Sequence, residues 1–119
     1  MTNAFLSPSR LHQVIDLYLA VAYAEELPPS KSDRQRALAL ARRWAPQEPP
    51  TSVEAMVDTA YVAARARRDV VHIARELQTA LLPGDCRRLL ADIGRTAQIS
   101  GHLSIRGARV ISVIRMAMG

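Results

Sequence analysis

The sequence carries one helix–loop–helix pattern twice, once near each end. Residues 15–44 contain an apolar helical stretch, a polar loop around 25–32 and a second helical stretch, and residues 89–118 repeat this order around a loop at 100–104. At an offset of 74 positions, Ser30 falls on Ser104 and Leu40 on Ile114. Two related helix pairs with a helical segment between them predict an all-α bundle.

Prolines and helix-capping residues predict where the helices of the first half begin and end. Ser7-Pro8-Ser9 is typical of a helix start, Pro28-Pro29 ends that helix, and Ser30 or Ser32 caps the second one. Pro46 through Pro50 form the next break. Thr51 with Glu54 three positions later then predicts a capping box at the start of the third helix.

The second half is divided by similar signals. Pro83-Gly84 ends the central segment, Asp85 is the predicted cap of the fifth helix, and Ser104 is the predicted cap of the last. Residues 52–82 form either one bent helix or two, the second starting at Asp69. The prediction is a single domain of about six helices, built from a first pair at 8–44, central helices at 51–82 and a second pair at 85–118 within 1–119.

The predicted core consists of apolar side chains that recur at helical spacing. Aromatic residues make up only 4% of the chain and hydrophobic residues 49%, so this core is expected to be aliphatic. Its predicted members are Leu11, Val14, Ile15, Tyr18, Leu19, Ala22, Ala37, Leu38, Leu40, Ala41, Trp44, Val53, Met56, Val57, Ala60, Tyr61, Ala64, Val70, Ile73, Ala74, Leu77, Leu81, Cys86, Leu89, Leu90, Ile93, Ala97, Val110, Ile111, Val113, Ile114 and Met118.

Cysteine usage and hydropathy bear on the compartment. Cys86 is the only cysteine, which excludes an internal disulfide and a thiolate metal cluster and favours a reducing interior. We expect it to be a buried, inert thiol. The apolar run at 17–24 is short and bounded by Asp16 and Glu25, so it predicts neither a signal peptide nor a membrane span. The expected location is cytoplasmic.

The first loop holds the candidate metal ligands. Glu26 lies in the loop and Asp33 in the first turn of the following helix, so two carboxylates can converge on one divalent cation. The alternative is that Asp33 only complements the helix dipole while the glutamates face water. The equivalent positions of the second loop, Ser100 and Gly107, supply no carboxylate. Asp92, upstream of that loop, is expected on the surface.

The net charge of +5 raises a nucleic-acid alternative. Residues 89–115 superficially resemble a helix-turn-helix, in which Arg106 and Arg109 would contact phosphates. The fit is poor because the usual turn glycine falls at Gln98 and Leu103 comes one residue early. The arginines are also spread along the chain, and aromatic residues for base stacking are nearly absent.

Enzyme chemistry finds little support in the sequence. His12, His72 and His102 lie on three different segments, and His72 with Glu76 is typical of a helix-surface contact. The chain contains no Gly-x-Ser-x-Gly motif and no glycine-rich phosphate loop. Alanine-rich helix faces would also permit self-association as a two-fold symmetric dimer.

With both loops considered, the chain resembles the TerB-like group, the tellurite-resistance family of small helical domains. The family pattern is Ala-Asp-Gly-x-Leu-Ser-x-x-Glu between two helices, occurring twice around a central segment. The second copy here, Ser100 to Gly107, keeps the glycine, leucine and serine and lacks both acids. The first copy, Glu26 to Asp33, has a negatively charged residue at both acidic positions of the pattern and lacks the glycine.

The resemblance implies an all-helical, cytoplasmic, non-enzymatic domain. It further implies a protein-binding or adaptor role in the context of tellurite resistance or stress response. The acidic loops of the family are thought to bind divalent cations, and that role carries over only to Glu26 and Asp33. The alternative function is a basic, DNA-associated helical protein that uses Arg106 and Arg109.

Overall fold

The computed structural model describes residues 6–22, 31–62, 69–98 and 103–118, with the backbone alone for 31–33 and 62. These ranges form an all-α bundle, and the described residues contain no strand. The Cα radius of gyration is 13.0 Å. The six helices are α1 Pro8–Ala22, α2 Lys31–Trp44, α3 Pro50–Val62, α4 Val70–Ala80, α5 Pro83–Thr96 and α6 Ile105–Met118.

Three predicted helix starts agree with the structure. The Ser7 Oγ accepts a hydrogen bond from the backbone N–H of Arg10 at 3.3 Å, as an N-cap does. The Ser104 Oγ accepts from the N–H of Gly107 at 2.9 Å. Asp69 caps α4 through a 3.0 Å bond from the N–H of His72. Because Asp69 itself has a non-helical backbone, the central segment consists of two helices.

Two other predicted caps are wrong, and both helices begin earlier. α3 starts at Pro50, with the N–H of Val53 donating to the Pro49 carbonyl at 3.1 Å, so Thr51 lies inside the first turn instead of capping it. α5 starts at Pro83, and Asp85 lies within its first turn. Proline is suited to the first helical position because its φ is already helical and no N–H is needed there. The prolines therefore begin these helices.

The core is organised around α1, which contacts all five other helices. Leu11, Val14, Ile15, Leu17 and Tyr18 are fully buried. A helix that is apolar around its whole circumference requires neighbours on every side. The buried surface of α1 is therefore wider than the single face that the spacing predicts.

Most of the predicted core is buried, and Val113 is the clear exception. Its side chain is 43% exposed, whereas Ile111, Ile114 and Met118 of the same helix are buried. These three share one face of α6, and Val113 points to the opposite side. Ile105 and Met116, also exposed, lie on that outer side with Val113.

Within the described ranges, none of the helices is long and apolar enough to span a lipid bilayer.

Candidate functional site

A groove of about 680 Å³ lies between α2 and α5. Among the described residues that line it, arginine is the commonest and a single aspartate is the only acid. α2 and α5 are in direct contact beneath the groove. The lining residues are Arg36, Ala39, Arg43, Trp44, Pro46, Arg88, Ala91, Asp92, Arg95 and Thr96.

Asp92 is the centre of a polar network that joins the two helices. Its Oδ2 accepts hydrogen bonds from Arg43 Nε at 3.0 Å and from Trp44 Nε1 at 2.8 Å. Its Oδ1 accepts from Arg43 Nη2 at 2.8 Å, which completes a bidentate pair. Arg43 Nη2 also donates to the Oγ1 of Thr96 at 2.8 Å. The network fixes the end of α2 against the C-terminal half of α5.

Helix geometry explains why these side chains meet. Arg43 and Trp44 are consecutive in the last turn of α2, and Asp92 and Thr96 are four apart on one face of α5. The Thr96 hydroxyl donates to the Asp92 carbonyl at 2.7 Å, so it is positioned by its own helix. Each helix therefore contributes an adjacent pair of side chains.

The Asp92 carboxylate is charged under ordinary conditions. Its side chain is only 18% exposed, and this burial by itself raises the pKa. Hydrogen bonds from Arg43, Trp44 and Thr96, together with the charge of Arg43, outweigh burial and leave the pKa of Asp92 below its usual value. The Asp92 side chain therefore accepts these hydrogen bonds as an ionised carboxylate.

The other arginines give the groove an excess of positive charge. The Arg88 guanidinium lies over the Trp44 ring, 6.0 Å from its centroid, and its Nη2 pairs with the buried carboxylate of Asp85. Arg36 is half-buried and Arg95 is exposed. No carboxylate in the part of the chain that the structure describes forms an ion pair with Arg95. The groove is suited to anionic groups, which guanidinium binds with two parallel hydrogen bonds.

The side chains of the two predicted metal ligands are not described by the structure. Glu26 lies outside the described residues, and Asp33 is in the first turn of α2 with its side chain not described. Most of the two loops that carry the TerB-like resemblance, 23–30 and 99–102, also lie outside the described residues. Elsewhere, the described ranges contain no group of three or more His, Cys, Asp or Glu able to hold a metal ion. The cation site stays a prediction.

The predicted nucleic-acid residues, Arg106 and Arg109, are both exposed near the start of α6. They lie outside the groove lining. Residues 97–104 separate α5 from α6, which is longer than the three- or four-residue turn of a helix-turn-helix. The nucleic-acid role of Arg106 and Arg109 stays a prediction.

Sequence reasoning missed Asp92, which it expected on the surface. The available signal was the pair of adjacent residues, Arg43 and Trp44, at the end of one helix, together with an Asp and a Thr four apart on another.

Two other predictions are confirmed. Cys86 is buried, which raises the pKa of its thiol, and His72 Nε2 lies 2.8 Å from Glu76 Oε1.

Comparisons of this chain with protein-family models, with curated proteins and with solved structures find no match.

Proposed function

We propose that this chain is a non-enzymatic binding module, TerB-like in architecture, that recognises an acidic segment of a partner protein in the groove between α2 and α5. The observation that carries the proposal is the set of four arginines around one already-paired aspartate. The TerB-like resemblance supports an adaptor role, a cytoplasmic setting and a context of stress or tellurite resistance.

The groove combines charge with apolar surface in the way that peptide recognition needs. Arg43 is committed to Asp92 and Arg88 pairs with Asp85, so Arg95 is the main charged contact for a ligand, with the exposed Arg88 beside it. Trp44, held by its indole N–H, supplies a rigid apolar surface. An acidic segment with small apolar residues between its carboxylates would match both features.

A protein partner is favoured over nucleic acid by where the charges lie. The groove concentrates its arginines around one position, whereas binding to a nucleic-acid backbone uses basic residues spaced along a track of phosphates. The chain has one tryptophan, and its indole nitrogen is already bonded to Asp92. A second copy of the chain is a further occupant to be tested, because the alanine-rich faces also permit a homodimer.

The test uses Trp44 as a built-in reporter, since no other residue of the chain is a tryptophan. A fluorescein-labelled peptide of glutamate, alanine and leucine is titrated against the protein and followed by anisotropy and by Trp44 emission. Arg88→Gln with Arg95→Gln should weaken binding about tenfold, equivalent to ~1.4 kcal/mol. The matched control, Arg106→Gln with Arg109→Gln, removes the same charge outside the groove and should bind like the parent protein.

Duplex DNA is titrated in parallel to distinguish DNA binding, the alternative function, from peptide binding. Salt-sensitive DNA binding that is lost in the Arg106/Arg109 variant and kept in the groove variant would favour a DNA-associated protein. Equal loss of peptide binding in both variants would show a non-specific charge effect and overturn the proposal. Light scattering at several protein concentrations reports whether a second copy competes for the groove.

A further inference from the structure

A second groove lies on another side of α5, where α4, α5 and α6 meet. Its volume is about 610 Å³, which lies within the range of small-molecule sites. Leu81, Cys86, Leu90 and Met118 form its apolar floor, and each is between 6% and 8% exposed. Among the described lining residues of the two grooves, only Ala91 is shared. The two grooves are therefore separate sites.

Two arginines stand at the edge of this apolar floor. Arg87 and Arg115 line the groove and are exposed, and none of the described residues that line it is acidic. The Arg87 guanidinium lies near the start of α5, beside Gly84. A Cβ added at Gly84 would be 3.9 Å from Arg87 Nη2. The nearest acid in sequence, Asp85, is engaged by Arg88. Among the described lining residues, no carboxylate compensates the positive charge at the edge.

We propose that the groove between α4, α5 and α6 binds an amphipathic carboxylate, a free medium-chain fatty acid, with its alkyl chain on the apolar floor and its carboxylate at Arg87 and Arg115. An alkyl chain suits a bounded floor of Leu, Met and Cys side chains, which offers little to hydrogen-bond. A carboxylate suits exposed guanidinium groups. This inference does not depend on the proposed acidic-peptide function, because the charged contacts of the two sites are different residues.

The first test is calorimetric titration with octanoate, decanoate and decanol below their critical micelle concentrations. Affinity should rise about fourfold per added methylene while the chain still gains apolar contact. Arg87→Gln with Arg115→Gln should weaken decanoate binding about tenfold and leave decanol binding unchanged. The Arg106→Gln, Arg109→Gln protein is the charge-matched control and should bind decanoate like the parent protein. Circular dichroism checks that each variant is folded.

The second test places the ligand in the groove. Cys86 is the only thiol of the chain, so its rate of alkylation by N-ethylmaleimide reports on this groove alone. Bound decanoate should slow that alkylation at saturating concentration. Three results would each overturn the proposal: no heat of binding with decanoate, equal weakening in both double variants, or binding to phosphatidylglycerol vesicles without binding to the monomeric acid.

Discussion

Asp92→Ala is the change that most directly tests the network beneath the arginine-lined groove. The substitution removes a bidentate ion pair with Arg43 and the acceptor of the Trp44 indole N–H. Arg43 is 48% exposed, so water can replace much of what its guanidinium loses. Trp44 is half-buried, and its N–H is left without this acceptor. Together these losses should lower the free energy of unfolding by about 2 kcal/mol.

The chain provides a matched control in Asp58→Ala. Asp58 also forms a bidentate pair with an arginine, since Arg34 Nε and Nη2 donate to its two oxygens at 2.7 and 3.1 Å. The geometry is therefore the same, but the Asp58 side chain is 54% exposed, compared with 18% for Asp92. Asp58→Ala should melt with the parent protein, because solvent-exposed ion pairs contribute little.

Thermal and urea unfolding, followed by circular dichroism and by Trp44 emission, measure the difference. A loss of 2 kcal/mol should lower the Tm by roughly 8 °C in a domain of this size. If Asp92→Ala melted with the parent protein, or if both variants lost the same stability, the network would not connect α2 to α5 as described. A double-mutant cycle of Arg43→Ala, Asp92→Ala and the double variant then measures the part of the lost stability that belongs to the Arg43–Asp92 pair.

The pH dependence of the same variant gives an independent check. The folded-state pKa of Asp92 is lowered below its ordinary value of 3.8, so the unfolded chain takes up a proton first as pH falls. The contribution of Asp92 is therefore complete above that ordinary value and is lost as pH falls through the folded pKa. The stability difference between the parent and Asp92→Ala should be largest near neutral pH and should shrink in acid. A constant difference across that range would contradict the pKa direction.

Three further predictions concern the second helix pair and the first loop. Ser104→Ala removes the bond to the Gly107 N–H and should cost about 1 kcal/mol in urea unfolding. Gly107→Ala should also destabilise the protein, by about 1 kcal/mol, although alanine has the better helix propensity. The reason is that the new Cβ would lie 3.3 Å from the backbone oxygen of Val21. A stabilised variant would show that α1 moves aside. Ca²⁺ should raise the Tm if the first loop binds a divalent cation, and Glu26→Gln with Asp33→Asn should abolish the shift; no shift in the parent protein would end that hypothesis.

The helices could be predicted from the sequence because their signals are local. Apolar spacing and breaks at proline each involve a few neighbouring residues, and they place all six helices close to their observed bounds. The errors at Thr51 and Asp85 have a local cause as well. A proline followed by a capping residue permits two helix starts, and here the proline occupies the first turn in both cases.

The groove could not be predicted in this way because it depends on tertiary contacts. Asp92 is separated by 49 residues from Arg43, and an aspartate on a helix is usually exposed. Val113 is the opposite case. Its apolar side chain at helical spacing is expected in the core, but it lies on the outer face of α6. Spacing identifies the faces of a helix, and only the packing decides which face has a neighbour.

The internal repeat relates α5, which borders both grooves, to α1. The 74-residue offset carries the bounds of α2 onto those of α6, and it places α5 at the position of α1. α1 contacts five helices, whereas the described residues of α5 make no contact with α3. The offset also pairs three buried residues of α1, Val14, Leu17 and Val21, with Arg88, Ala91 and Arg95.

The face that α1 buries is therefore the face on which α5 borders the arginine-lined groove. Arginine at two of these positions suits a face that no helix covers, because a charged guanidinium is costly to remove from water. The second half of the chain therefore carries an open, basic helix face where the first half carries a buried apolar one. We infer that binding depends on this face of α5. Arg88→Val with Arg95→Val, which restores the α1-like residues, should abolish acidic-peptide binding while the protein stays folded; retained peptide binding would contradict this inference.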